Sequence, residues 1–580
     1  MCAHCGVPDT DDTVAAEISP ATRQLAATRR PRTPPEPSVP AVGTADLVLY
    51  GGRVHTQDPQ HPVASAVAIA GNRVLATGTD DEVRSAAGHR ARPIDLEGRT
   101  VVPGLNDSHL HQFAAAQDRV KVRLLDARSV ADVVAAVAAG VAGAPRGSWV
   151  ESQAGWHESL LAERRLPTRR DLDPVSRHHP VFLRRGGHVA AVNSAALRQA
   201  GIARGTPDPP GGVVVRDADG EPTGVLLERA CDLVARLLPP PPTPERQAEL
   251  LRAQMTELNT LGITSVTEPG LTAEQIGIYA ALWGDGRLTT RTHLLWRAGD
   301  LAAVTAAAAA FPARCGDDML RFDGLKIYTD GGVEGAYMRD PYLLVPGEQT
   351  DPTYRGMQTL PPGGAAELTE MYVRAAQHGF QVQTHAVGDA AIDFVLDILR
   401  HVDRYVPLAP LRWTMIHLQL PDTRALATMR ELGLLATVQD QPVLLGANQT
   451  RWWGLERSAR SVPVREILDA GIPTGAGTDA PIVSPDPFTA MGWMTTRTTL
   501  HGETLGPGQA ITAAEALHLY TVGSARTQDA ETAKGRVQPG MLADLAVLDG
   551  DPLAVDPREI ADIGCALTVL DGRVVTGGPS

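Results

Sequence analysis

Thr100-Val101-Val102-Pro103-Gly104-Leu105-Asn106-Asp107-Ser108-His109-Leu110-His111 is an apolar run over 100–105 followed by two histidines two residues apart. The run predicts a strand over 100–105. Side chains alternate along an extended chain, so both imidazoles are expected to point the same way. Two neutral ring nitrogens aimed at one point make half of a metal site. A strand that ends in such chemistry fits a barrel of βα units, which builds its site at the C-terminal ends of its strands.

The rest of the chain supplies the barrel. Apolar strand signals recur at 262–267, 289–296, 322–329, 381–385, 413–418, 434–438 and 472–477. Helical stretches fall between most of them, at 273–283, 301–311, 365–378, 390–402, 423–432 and 464–470. Alternation of this kind predicts a parallel sheet, and eight units close into an α/β fold of the (β/α)8 TIM type. We place this barrel at 100–504. The stretch at about 118–250 interrupts it after the first strand and reads as a lid-like inserted subdomain over the mouth, with a helix at 130–141 and strands at 181–183 and 213–215.

Strand and hairpin signals at 45–49, 66–70 and 71–74 return near the other terminus at 543–548, 567–570 and 571–575. Residues 45–99 and 505–580 are therefore expected to build one small β-sandwich from both chain ends. Residues 1–44 are rich in Ala, Thr, Pro and Arg without periodicity and read as a disordered leader. Cys2 and Cys5, with His4 between them, lack a second ligand pair for a metal site.

Lys plus Arg number 53 against 67 for Asp plus Glu, a net charge of −14, which argues against nucleic-acid and anionic-membrane partners. No apolar stretch reaches membrane-spanning length, and no signal-peptide core follows the N-terminus. Five scattered cysteines suit reduced thiols in the cytoplasm. A small-molecule substrate and a homo-oligomer, a dimer, are expected.

Polar residues of metal-ligand type stand at the predicted C-terminal ends of several barrel strands: His109 and His111 at the first, Lys326 at the fourth, His385 at the fifth, His417 at the sixth and Asp479 at the eighth. Each has a structural alternative. Lys326 suits a salt bridge, His385 and His417 suit buried hydrogen bonds, and Asp479 suits a helix N-cap. Jointly those alternatives require six coincidences of type, strand end and order. Trp156, Tyr337, Trp452 and Trp453 are candidates for an aromatic substrate pocket. His188, which follows Arg184-Arg185-Gly186-Gly187, is a candidate for orienting a carbonyl or stabilising an oxyanion.

The ordered set of His-x-His, Lys, His, His and Asp resembles the amidohydrolase superfamily. Val102-Pro103-Gly104-Leu105-Asn106-Asp107-Ser108-His109, the segment from Arg185 to Leu197, His385-Ala386-Val387-Gly388-Asp389 and Gly540-Met541-Leu542-Ala543-Asp544-Leu545 resemble its family 3 branch, which includes N-substituted formamide deformylases. The resemblance implies that His109, His111 and Asp479 hold one ion, that His385 and His417 hold a second, and that a carboxylated Lys326 bridges them. Without carboxylation the site would hold one ion. The ion expected is Zn2+, with Mn2+ or Fe2+ as alternatives.

Such a centre activates water and polarises a carbonyl, with Asp479 as the proton shuttle. The expected function is metal-dependent hydrolysis of a C–N amide-type bond, in an N-substituted formamide, an N-acyl compound or a cyclic amide. The alternatives are a metal-dependent esterase, deaminase or decarboxylase on the same barrel, and a non-catalytic barrel scaffold.

Overall fold

The structure, a computed structural model, describes residues 19–28, 43, 45–187, 189–209, 212–345 and 351–577. Its centre is the expected parallel barrel. The eight strands lie in chain order: Leu105–Asp107, Ile263–Leu271, Arg291–Arg297, Leu320–Tyr328, Gln381–Ala386, Thr414–His417, Leu435–Val438 and Thr474–Ala476. Every neighbouring pair along this path is parallel. Ser108 N–H donates to the Ala476 carbonyl at 2.9 Å and brings the last strand back to the first.

These strands are buried on both faces, which is why they read as continuous apolar runs rather than as alternations. Helices Ala273–Gly284, Leu301–Ala310, Gly364–Gln377, Asp389–Asp403, Thr423–Glu431 and Val464–Asp469 run on the outside, within a residue or two of the expected spans. Several start at side-chain caps, such as Thr272, whose hydroxyl and Gln275 form a reciprocal box.

Both chain ends build one double-sheet domain. One sheet pairs Arg73–Gly78, Ala66–Ala70, Leu47–Tyr50 and Arg92–Asp95; the other contains Arg53–His55, Val63–Ala64, Thr100–Pro103, Leu545–Leu548, Cys565–Leu570 and Arg573–Gly577. Leu49, Val67 and Ile69 from the first sheet share a core with Val101, Val547 and Val569 from the second.

Several boundaries differ from expectation. The predicted first strand over 100–105 is divided: Thr100–Pro103 belongs to the end domain, paired with Leu545–Leu548, and only Leu105–Asp107 enters the barrel. The division falls at Gly104, where an added Cβ would come within 2.3 Å of the Thr264 hydroxyl. Residues from 505 to the 520s also lie with the barrel, because Leu519–Gly523 and Ser524–Thr527 cover its closing strand and Ala513–His518 packs beside them. The leader expected over 1–44 contains a helix, Pro20–Ala27, capped by Ser19 and docked through the fully buried Leu25. The Cys2, His4 and Cys5 group lies outside the described residues.

The insertion after the first strand forms its own sheet, in the order Gly212–Arg216, Pro222–Glu228, Val189–Val192, Val181–Arg185, Val150–Glu151, with helices Val130–Gly143 and Arg169–Ser176. Pro244–Thr260, placed partly in the insertion by sequence, packs on Gln112–Asp118 as a barrel helix. Among the described residues no helix is long and apolar enough to cross a membrane.

Candidate metal centre

The C-terminal ends of the first and last barrel strands are laced together. The Asp107 carboxylate accepts from His109 N–H at 3.0 Å, from Thr478 N–H at 3.0 Å and from the Thr478 hydroxyl at 2.7 Å. Burial nevertheless raises its pKa to about 7. Asp479 N–H donates to the His109 carbonyl at 2.8 Å, and His111 N–H donates to the Ala480 carbonyl at 2.9 Å. The close approach requires Gly477, since a Cβ there would stand 2.5 Å from the His109 nitrogen. His109 and His111 thus sit just beyond their strand, fixed by its neighbour rather than by strand alternation.

This lacing sets the first cluster. Nε2 of His109 and of His111 lie 3.5 and 3.4 Å from Asp479 Oδ1, and ligand atoms of the three residues fall within 4.8 Å of one another. All three are buried. Across the barrel, the His385 and His417 rings meet edge to face with centroids 4.5 Å apart, and His417 lies 5.4 Å from His109. Lys326 is fully buried, with Nζ 4.7 Å from the Tyr328 ring centroid. These six residues line one cavity.

Burial holds the His109 and His417 pKa values well below the ordinary imidazole range. Lys326 and the neighbouring imidazoles press the same way. Neutral rings are the ligating form. Nε2 of His109 is buried and makes no hydrogen bond, while Nδ1 lies 3.3 Å from Gln383 Oε1. With Nδ1 donating to Gln383, Nε2 keeps its lone pair for an ion. The donor set therefore fits a divalent metal: neutral imidazoles and a carboxylate, with a buried ring nitrogen otherwise unused.

A second layer holds these ligands. Asp330, after the fourth strand, accepts backbone N–H groups of Tyr337, Val387 and Gly388, and its Oδ1 lies 3.4 Å from His385 Nε2. Gln441 donates from Nε2 to Asp479 Oδ2 at 2.9 Å and lies 3.3 Å from His417 Nδ1. His417, Leu418 and Asp479 adopt left-handed backbone, with φ of 73°, 44° and 61°. For Leu418 in particular that conformation is strained, as occurs where surrounding structure over-determines a site.

The insertion closes the cavity. Trp156, His157 and Arg185 line it from the insertion, together with Leu444, Leu445 and Ile482 from the barrel loops. The Trp156 indole N–H donates to the Arg184 carbonyl at 2.7 Å. Arg185 is buried between Glu158, at 2.9 Å, and Glu334, so the insertion is clamped to the loop after the fourth strand.

Of the aromatic candidates, only Trp156 borders the cavity. Trp452 and Trp453 are buried in an apolar cluster with Val333, Met338 and Tyr342, and the Trp453 indole N–H donates to the Val333 carbonyl. Tyr337 is half-buried against the barrel core. The reason is their placement: Trp452 and Trp453 end helix Pro442–Trp453, about two turns beyond Leu444 and Leu445, which line the cavity near its start. His188 lies outside the described residues. Sequence reasoning passed over Gln383, Gln441, Arg185 and Asp330. Gln383 carried a signal, because it precedes His385 by two residues on one strand and shares its face.

The chain matches the model of the amidohydrolase family over residues 92–576. It is 30% identical to an N-substituted formamide deformylase of Arthrobacter pascens, over 91% of this chain and 97% of the relative. It is 28% identical to the Bacillus subtilis protein YtcJ, over 91% and 99% of the two chains. Among solved structures, a metal-dependent hydrolase from Pyrococcus furiosus shares 26% identity with a TM-score of 0.67, over 87% of this chain and 99% of its own.

Proposed function

The chain belongs to the amidohydrolase family, and from that premise we propose that it is a metal-dependent hydrolase cleaving a C–N amide-type bond of a small molecule, with N-substituted formamides and other N-acyl compounds as the substrate class. One observation carries the reading: His109, His111, Lys326, His385, His417 and Asp479 border a single cavity roofed by the insertion. In this reading His109, His111 and Asp479 hold one ion, His385 and His417 a second, and a carboxylated Lys326 joins them. Zinc matches this donor set best, with Mn2+ and Fe2+ as alternatives. A divalent ion held there supplies a Lewis acid and a water whose pKa is lowered toward neutrality.

The protein's own groups do the rest. Gln441 pins Asp479 Oδ2, so Oδ1, the oxygen nearest both His109 and His111, faces the ion's place, and the Asp479 carboxylate is the group positioned to accept a proton from the attacking water. The same carboxylate then returns the proton to the departing nitrogen. Leu444, Leu445, Ile482 and the Trp156 ring offer an apolar wall to the nitrogen substituent, and the insertion excludes bulk water. The reading includes a cytoplasmic location, which the buried, reduced Cys315 suits, and a homodimer.

The test is product analysis on purified protein with matched formamide, acetamide, ester and amine panels. Amine release from the formamide or N-acyl compounds is expected. Asp479→Asn should keep the fold by circular dichroism and lose about 10²–10⁴ of kcat. A variant with near-normal turnover removes the shuttle role, and hydrolysis confined to esters removes the amide class.

A further inference from the structure

Gln441 is held at its backbone carbonyl and at one end of its side-chain amide. It begins helix Pro442–Trp453, and its carbonyl accepts N–H groups from Leu444 at 3.1 Å and Leu445 at 2.9 Å. Its Nε2 donates to Asp479 Oδ2 at 2.9 Å. The carboxylate fixes the amide orientation, because an oxygen facing Oδ2 would repel it. Oε1 is thereby turned to the other side, where it is buried and makes no hydrogen bond. Gln441 is also part of the cavity wall, between the polar floor formed by His417 and Asp479 and the apolar side formed by Leu444 and Leu445.

A buried carbonyl oxygen without a donor is an acceptor waiting for one, since leaving such a group unpaired is costly. The donor that belongs at this boundary is set by the reaction. An amide whose carbonyl carbon lies over the polar floor and whose nitrogen substituent lies along Leu444 and Leu445 carries its nitrogen between the two. We propose that Gln441 Oε1 accepts the N–H of the scissile amide, so that the enzyme selects secondary amides over tertiary amides and esters. The assignment rests on the hydrolase reading above and names the specificity of the same site. It also couples selection to chemistry: one amide group reads the substrate N–H through Oε1 and holds the proton-carrying Asp479 through Nε2.

The experiment compares N-butylformamide with N-butyl-N-methylformamide, which lacks only the N–H in exchange for a methyl group, in the zinc-loaded wild type and in Gln441→Met. Each compound's intrinsic reactivity and the added methyl cancel when the two proteins are compared. Wild type is expected to prefer the secondary formamide by about 10- to 100-fold in kcat/KM, and Gln441→Met to bring the two within about 3-fold. If Gln441→Met turns over neither compound because Asp479 has lost its anchor, calorimetric binding of the same pair to the variant and to wild type reads the ratio without turnover. A ratio unchanged by the substitution, or a wild type that accepts both compounds alike, overturns the assignment of Gln441 while leaving the hydrolase reading intact. A wild type that hydrolyses neither formamide nor any other amide overturns both.

Discussion

His157 shows how one buried side chain ties the cavity to solution pH. It is held to about pKa 4 by burial, with Glu158 partly opposing. The unfolded chain takes up this proton near 6.5, ahead of the folded one. Stability from the neutral ring is therefore complete above pH 6.5 and is lost as pH falls toward 4, by about 3 kcal/mol in all. His157→Asn should flatten the denaturation profile across that window, measured as urea midpoint against pH. An unchanged slope would assign the acid sensitivity elsewhere. At the same scale, the six ligand candidates were legible because their residue types are uncommon at strand ends. Gln383 and Gln441 were not, since a glutamine announces neither charge nor ligation and gains meaning only from the neighbour it reaches.

At the scale of elements, barrel strands and helices were readable because each carries its own period, continuous for the buried strands and helical for the outer layer. Junctions were not. Thr100–Pro103 and Leu105–Asp107 follow one another with only Gly104 between them, and the crowding of Gly104 against Thr264 marks where the chain passes from one domain to the other. Pro20–Ala27 escaped for another reason: an eight-residue helix is unstable alone and exists through its contact with the barrel. Leu25→Asp should release it. Limited trypsin digestion is then expected to cut after Arg23 in the variant much faster than in wild type. Equal protection in both would show that Leu25 does not hold the helix.

For the whole molecule, the end domain and the barrel are joined through a buried ion cluster. Arg291, on the third strand, donates to both carboxylate oxygens of Asp544 at 2.6 and 2.9 Å and to Asp571 at 2.9 Å. Arg291→Ala leaves the buried Asp544 carboxylate without its cation and should cost about 3–5 kcal/mol. Differential scanning calorimetry should show a lower Tm or separation of the two domains into distinct transitions; a single unshifted transition would contradict the role. The bracketing of a barrel by both chain ends was visible as an echo of strand and turn signals. The charge cluster that binds the halves was not, because Arg291 lies 253 and 280 residues from its two partners.

The central claim is that side chains from separate strands hold a divalent ion. Its most direct test is elemental analysis of protein purified without added metal or chelator, for wild type, His109→Ala and His385→Ala. One to two equivalents of a divalent transition metal per chain are expected in wild type, with a clear loss in each variant. A wild type free of metal that also fails to take up zinc at equilibrium, or variants with wild-type content, would contradict the account.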